Sequence, residues 1–226
     1  MESLITSLGA FLVLHVVPAI GPLRRFLVGA MGTVMYTVIY STVSTGLLVW
    51  VGFAYVEADY VELWPRADWM MWVPVVLMYP ACVFLVGSLV NANPLSVGLR
   101  TDAYDPESPA IVSITRHPLM WGVILWSIAH LVVNGDQASV MMFGLLAVFG
   151  AIGPKIIDLK KRRQMGAEAW DKLSAPTSSF PFWAALRGKT KVDWQGAACA
   201  PGLGGLVLYA VLLGAHPFVI GVSPLP

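Results

Sequence analysis

Residues 70–90 read MMWVPVVLMYPACVFLVGSLV, a run of 21 residues that contains no charged side chain. As a helix this run is about 31 Å long, which matches the hydrocarbon thickness of a bilayer. Five further apolar runs flank it in the sequence. They cover about residues 3–20, 27–54, 117–134, 137–154 and 196–222. We therefore predict an all-α, polytopic integral membrane protein with six transmembrane helices.

The overall composition supports this prediction. Of the 226 residues, 57% are hydrophobic and only 12% are charged, and the mean hydropathy is +0.72. Soluble domains carry about 25% charged residues, and disordered chains need low hydrophobicity, so both classes are excluded. A net charge of +1 gives no general attraction to nucleic acid. The length predicts one membrane domain over residues 1–226, in contact with membrane lipid.

Basic residues predict the orientation of the bundle. Thirteen of the 14 Lys and Arg residues lie in the first, third and fifth loops or at the start of the fourth span. The exception is Arg66, in the second loop. The positive-inside rule then places loops one, three and five in the cytoplasm and both termini outside.

Two of the segments that connect the spans carry local structural signals. Asn134-Gly135-Asp136-Gln137 is a turn signal between spans four and five, and Asp136 is placed to cap the start of span five. After span five, residues 155–164 read KIIDLKKRRQ and predict a basic helical extension.

No Asp, Glu, Lys or Arg lies in the middle of a predicted span, so the titratable candidates there are histidines. His15 lies in span one and His130 in span four, at depths that differ by roughly 8 Å by helix rise. Polar groups in hydrocarbon are costly and often functional. Trp126, Ser127 and Asn134 lie on the same helical stripe as His130, so we expect this stripe to face the bundle interior.

Several roles suit two buried neutral imidazoles. They are suited to ligating haem iron from opposite sides, to binding another transition metal, or to relaying protons. They are equally suited to hydrogen bonding between helices, which is worth about 0.6–2 kcal/mol. The chain has no Cys-x-x-Cys-His motif, so a bound haem is expected to be b-type.

The remaining histidines lie at span ends. Arg116-His117-Pro118 opens span four, and proline suits the first turn of a helix. Arg116 is alternatively suited to binding a phosphate or carboxylate, and His117 lies beside it. His216 precedes Pro217 near the end of span six, where a structural role is the better interpretation.

Several strings resemble the NnrU family of bacterial membrane proteins. The resemblance covers about residues 1–185 and leaves the sixth span, about 196–222, only loosely matched. The strings are LHVVP at 14–18, NPLSVG at 93–98, TRHPLMWG at 115–122, LWSIAH at 125–130, NGD at 134–136 and TSSFPF at 177–182.

The resemblance implies more than the residues alone. The family is similar to the 15-cis-zeta-carotene isomerases, integral membrane enzymes that hold a b-type haem and isomerise a polyene in the ferrous state. Their expected axial ligands fall on His15 and His130 here. The bacterial members are linked by name to nitric oxide and denitrification. The resemblance thus implies a haem protein of the bacterial inner membrane that acts on a lipophilic polyene or on nitric oxide.

Two other functions remain open. One is a non-enzymatic accessory or assembly factor for denitrification, which acts through a protein partner. The other is a methyltransferase, because Arg-His-Pro at the start of a membrane helix is also similar to S-adenosylmethionine sites, with Arg116 and His117 as cofactor-binding residues. Those sites need an acidic pair in the next cytoplasmic helix. Here the nearest acids are taken to be Glu168 and Asp171, beyond a basic run, which departs from that pattern.

Overall fold

The chain is almost entirely helical. A computed structural model describes residues 1–101 and 103–226; helix accounts for 73% of the chain, and no strand occurs among the described residues. Five helical segments are long and apolar enough to cross a membrane. They are Glu2–Ala19, Gly21–Val56, Asp68–Val90, Gln137–Met165 and Trp194–Val219. The all-α membrane class is therefore confirmed.

The fourth predicted span is the shortest of the apolar helices. It runs from Pro118 to Asn134, 17 residues or about 25 Å, slightly less than the typical hydrocarbon thickness. Proline in the first turn starts it, and Gly135 in the left-handed conformation (φ 68°) ends it. Five spans are confirmed by length and composition, and the count of six is not.

The structure divides into two compact units. The first comprises Met1–Trp64 and Asp136–Met142. In it, α1 spans Glu2–Val16 and α2 spans Gly21–Val56. Helix α2 breaks at Gly32, whose φ of 80° and ψ of 160° are non-helical. The predicted cap is confirmed, since the Asp136 carboxylate accepts a hydrogen bond from the Ser139 amide at 3.0 Å.

The second unit comprises Pro65–Gly135 and Phe143–Pro226. Its longer helices are, in chain order, α3 Trp72–Val90, α4 Pro118–Asn134, α5 Leu145–Met165, α6 Ala167–Ser174 and α7 Gly204–Val219. Helix α5 continues to Met165, so the predicted basic extension is confirmed. A π-helical stretch, Val140–Gly144, precedes α5.

Glycines let the helices of the second unit pack closely. A Cβ atom on Gly150 of α5 would lie 2.7 Å from Ile124 of α4, and one on Gly205 of α7 would lie 2.7 Å from the Val83 backbone of α3. Small residues at such contacts are typical of helix packing in membranes. At one end, an apolar cluster around Leu95, Ile111 and Trp170 packs the connecting segments onto the helices.

Large apolar side chains remain exposed along the helices, including Val34 (78%) and Phe53 (66%) on α2 and Val207 (64%) on α7. Exposure of such an apolar surface to water is unfavourable, whereas contact with lipid is favourable. Together with the apolar helices, this identifies the chain as an integral membrane protein. The single domain over residues 1–226 stays a prediction.

Candidate functional site

Arg116 is held by a carboxylate of its own chain. Its Nε donates to Asp158 Oδ1 at 3.0 Å and its Nη2 donates to Asp158 Oδ2 at 2.6 Å. The Arg116 side chain is 15% exposed and that of Asp158 is 22% exposed, and the Trp170 ring lies 5.7 Å from the guanidinium carbon. This bidentate, partly desolvated pair joins the start of α4 to α5.

His117 is completely buried beside this pair. Its Nε2 lies 2.9 Å from Asp158 Oδ1 and its Nδ1 lies 2.8 Å from Ser96 Oγ. An ionised carboxylate only accepts hydrogen bonds, so Nε2 carries the proton, and in the neutral ring Nδ1 accepts from the Ser96 hydroxyl. Both ring nitrogens of His117 are therefore engaged.

Ser96, His117 and Asp158 are hydrogen-bonded in the order serine–histidine–carboxylate that nucleophilic hydrolases use, but with the two ring nitrogens exchanged, since the serine meets Nδ1 and the carboxylate meets Nε2. Here the serine and the histidine are both 0% exposed, so neither contacts a substrate. Asp158 is also neutralised by Arg116. The arrangement is that of a buried structural network.

Main-chain contacts extend the network to the strings that resemble the family. The Asn93 side-chain nitrogen Nδ2 donates to the Arg116 carbonyl at 2.9 Å, and the Arg116 backbone N–H donates to the Ser178 carbonyl at 2.9 Å. Trp121 Nε1 donates to the Ser179 carbonyl at 2.7 Å. We call the whole network the polar clamp. Its members are Asn93, Ser96, Arg116, His117, Trp121, Asp158, Ser178 and Ser179.

The prediction that Arg116 and His117 bind a cofactor is not tested by these contacts, but the contacts account for both side chains without a ligand. One correction concerns the acids: the sequence analysis took Glu168 and Asp171 as the nearest acids after the fifth run, whereas the acid that meets Arg116 is Asp158. Asp171 instead forms an exposed pair with Arg162 at 3.4 Å.

His130 lies on α4 and lines a cavity at the end of that helix opposite the clamp. Its Nδ1 lies 2.8 Å from the Trp126 carbonyl, and the Phe143 ring stacks on the imidazole with centroids 5.1 Å apart. A carbonyl oxygen only accepts, so Nδ1 carries the proton. In the neutral ring, Nε2 therefore keeps its lone pair.

The cavity is largely apolar and contains a second imidazole. His216 Nδ1 lies 2.8 Å from the Val222 carbonyl, so the same reasoning leaves the lone pair of His216 on Nε2. The cavity is only partly enclosed and its volume is about 100 Å³, so a large ligand would extend beyond it. The lining residues are Arg66, Met71, Pro74, Val75, Met78, His130, Val133, Asn134, Tyr209, Leu212, Leu213, His216, Val222, Ser223 and Pro224.

His15 belongs to the first unit, on α1. Its ring is half-buried and stacks on Phe11, with centroids 5.1 Å apart. Ser44 Oγ lies 3.1 Å from Nδ1 and the Tyr40 hydroxyl lies 3.2 Å from it. Tyr40 also donates to the His15 carbonyl at 2.8 Å. Because Tyr40 has a single proton, its oxygen faces the imidazole as an acceptor.

The predicted site residues thus fall into three local environments. Arg116 and His117 share the polar clamp, His130 lines the cavity, and His15 lies among side chains of α1 and α2. Sequence reasoning missed Asp158, whose lone negative charge within a basic run was the available signal. It also gave His216 no ligand role, although His216 lines the cavity.

The fold and these sites define a helical integral membrane protein with one structural polar network and one open, imidazole-lined cavity. The sequence model described as NnrU protein matches residues 3–224. The chain therefore belongs to the NnrU family over nearly its whole length. No curated protein and no solved structure matches it.

Proposed function

We propose that the chain is a b-type haem protein of the membrane, with His130 as an iron ligand. The observation that carries this proposal is the hydrogen bond from His130 Nδ1 to the Trp126 carbonyl. Histidines that ligate metals usually donate their other ring N–H in this way, which fixes the tautomer and makes the free nitrogen more basic. The bound haem would supply an iron centre for a small gas or a double bond.

The donor set fits a haem better than a bare metal ion. Among the described residues, no group of three or more His, Cys, Asp or Glu is placed to hold a metal ion. A structural zinc site needs about four protein ligands, whereas a haem needs only one or two axial ones. Apolar residues such as Met78 and Leu213 line the cavity, although its volume of about 100 Å³ would enclose only part of a macrocycle.

Two histidines are candidates for a second residue that would hold the haem. His15 is the one that the family resemblance implies, and its local contacts leave the ring oriented by Tyr40 and Ser44. His216 lines the same cavity as His130. Haem spectra of the His15→Ala and His216→Ala variants decide between these two residues.

Family membership supports the class of reaction and its location. We infer a redox-dependent role with nitric oxide or with cis-trans isomerisation of a lipophilic polyene, which enters from the lipid. The basic residues support placement in the bacterial inner membrane, with loops one, three and five in the cytoplasm and both termini outside.

An absorption spectrum of the purified protein tests the haem proposal. The protein is expressed with added 5-aminolaevulinic acid, purified in mild detergent, and measured oxidised and dithionite-reduced, with haem quantified as the pyridine haemochrome. We expect about one b-type haem per chain, and His130→Ala should lose it or lose its low-spin bands. Added imidazole should restore those bands in His130→Ala if the variant retains the haem.

The matched control is Ser127→Ala on the same helix. Ser127 is fully buried, and its Oγ has no partner among the described residues, so its loss should leave the spectrum unchanged. A wild-type spectrum with full haem in His130→Ala would refute the assignment. A colourless wild-type protein would instead favour the accessory-factor function, for which co-purified partners are the next measurement.

A further inference from the structure

One exposed segment of the second unit combines large apolar side chains with cations. Residues 180–191 read FPFWAALRGKTK, and we call them the docking segment. Its four large apolar side chains are exposed, namely Phe180 (60%), Phe182 (39%), Trp183 (46%) and Leu186 (77%). Its three cations are exposed as well, namely Arg187, Lys189 and Lys191. The segment contains no Asp or Glu, and exposed aromatic rings beside cations are typical of a membrane interface.

Main-chain contacts hold the docking segment against the polar clamp. The backbone N–H of Phe182 donates to the Ile114 carbonyl at 2.8 Å, and that of Ala184 donates to Ser178 Oγ at 3.2 Å. Ala184 is buried, so the helical turn Trp183–Leu186 packs through this small residue and leaves both of its large side chains exposed. The fold therefore fixes the position of the exposed rings.

The backbone of Phe182 adopts a conformation that suits glycine. Its φ of 62° and ψ of −6° lie in the left-handed region, which is unfavourable for a bulky side chain. Gly188, with φ 70°, adopts a positive φ in the same segment without that penalty. Strained residues persist where the surrounding structure determines them, and they cluster at functional surfaces. We therefore expect a use for the Phe182 ring, which is partly exposed and lies 6.2 Å from the Trp194 ring.

The docking segment is attached at the level where α5 changes from apolar to basic. Ser179, the residue before the segment, donates from Oγ to Asp158 Oδ2 at 3.4 Å. The exposed residues of α5 before Asp158 include Ile152 and Ile156, and those after it include Lys160 and Arg163. Within one turn of Asp158 the two kinds of residue mix, as at Lys155 and Leu159. A helix that leaves the bilayer changes from apolar to basic at the cytoplasmic headgroups, which indicates the same depth for the segment.

We propose that the docking segment lies in the headgroup layer and binds anionic phospholipids of the membrane. Its rings and Leu186 would enter the boundary of the acyl chains, and its cations would contact the lipid phosphates. The guanidinium carbon of Arg187 lies 4.6 Å from the centroid of the Trp183 ring, which keeps one cation beside the aromatic surface. This inference goes beyond the proposed haem function and does not depend on it.

The charge around the segment favours anionic over neutral lipid. The nearest acid that follows it is Asp193, whose carboxylate already accepts hydrogen bonds from the backbone N–H groups of Ala110 and Gly196. Each cation close to an anionic bilayer contributes about 1 kcal/mol. Three cations should therefore favour the immersed segment by about a hundredfold when the lipid is anionic.

Access of the neutral quencher acrylamide to a label in the segment tests this proposal. Leu186→Cys is made in the full chain together with Cys199→Ser, since Cys199 is exposed and Cys82 is buried, and it is labelled with an NBD fluorophore. The protein is placed in nanodiscs of phosphatidylcholine, alone or with about one third phosphatidylglycerol as the anionic lipid. We expect phosphatidylglycerol to lower the quenching constant at least about threefold, and sodium chloride to reverse part of the decrease.

Two kinds of variant localise the effect. Replacing Arg187, Lys189 and Lys191 by Gln should abolish the dependence on phosphatidylglycerol. The matched control removes the same charge from α5 and α6 by Arg162→Gln, Arg163→Gln and Lys172→Gln, all at exposed residues, and should keep the decrease.

Phe182→Gly separates the ring from the stability of the fold. Glycine suits the left-handed backbone, so Tm in detergent should stay close to that of the wild type. The label should nevertheless become more accessible in the anionic nanodiscs, because the segment has lost one of its immersed rings.

The outcomes decide the proposal. Equal quenching in the two lipid compositions, whether strong or weak, overturns it, since protection by a bound protein would not depend on the lipid. Equal losses of the phosphatidylglycerol effect in the two triple variants would also overturn it, because net charge alone would then explain the effect. A decrease that depends on the cations of the docking segment supports it.

Discussion

Replacing Asp158 by Asn should strongly destabilise the protein, because Asp158 is the common acceptor of the polar clamp. This one carboxylate accepts hydrogen bonds from Nε and Nη2 of Arg116 and from Nε2 of His117. Asparagine offers one oxygen and turns an NH₂ group toward the remaining donor. The substitution therefore leaves a largely buried guanidinium without its counter-charge.

The burial of the partners sets the size of the effect. The Arg116 side chain is 15% exposed and the His117 side chain is 0% exposed, so water replaces little of the lost bonding. Removing one partner of a buried ion pair costs about 3–5 kcal/mol, and the oxygen that Asn retains lowers this to about 3 kcal/mol. For a domain of this size, that corresponds to a decrease in Tm of about 6–12 °C.

Thermal unfolding in mild detergent, followed by circular dichroism, measures this decrease. Asp171→Asn is the matched control, because Asp171 pairs with Arg162 at 3.4 Å while the two side chains are 62% and 53% exposed. Exposed pairs contribute at most about 1 kcal/mol, so Tm should fall by only a few degrees. Equal decreases in Tm for the two variants would show that the clamp does not stabilise the fold.

Two further predictions concern glycines and use the same unfolding assay. Gly32→Ala should lower the free energy of unfolding by about 1–3 kcal/mol, because φ 80° with ψ 160° is a region that only glycine adopts readily. Gly29→Ala in the same helix meets open space and should be neutral or stabilising. Gly150→Val should cost about 1–3 kcal/mol because its Cβ would lie 2.7 Å from Ile124, whereas Gly144→Val meets no atom within 4 Å and should cost less. Equal losses of stability for the Gly32 and Gly29 variants would contradict the backbone argument. Equal losses for the Gly150 and Gly144 variants would contradict the close packing at Gly150.

The helix boundaries were largely predictable, because apolar runs and helix-ending residues are local signals. Span four was predicted at about residues 117–134 and lies at Pro118–Asn134. The break at Gly32 was not predicted, since a single glycine is also compatible with an uninterrupted helix. The count of six spans depended on that fourth run, whose 17 residues make it shorter than the other five.

The sites were less predictable, because their partners are distant in the sequence. Arg116 and Asp158 are 42 positions apart, and no residue spacing indicates that they meet. His130 was singled out as a polar residue of the fourth apolar run, and it lies on α4, but the cavity also needs side chains from α3, α7 and the C-terminal segment. Those long-range contacts exist only once the second unit is folded.

Comparing residues of the same type shows why the clamp is structural and the cavity is the candidate site. His117 has both ring nitrogens engaged, whereas His130 has one engaged and keeps a lone pair. Arg116 is largely buried and has a bidentate carboxylate partner, whereas Arg66 is exposed to solvent at the edge of the cavity. A buried polar group that loses water without gaining a partner is destabilising, so folding tends to satisfy such groups internally. The polar clamp is satisfied within the protein in this way, whereas His130 keeps one ring nitrogen available in the cavity, which makes the cavity the candidate site.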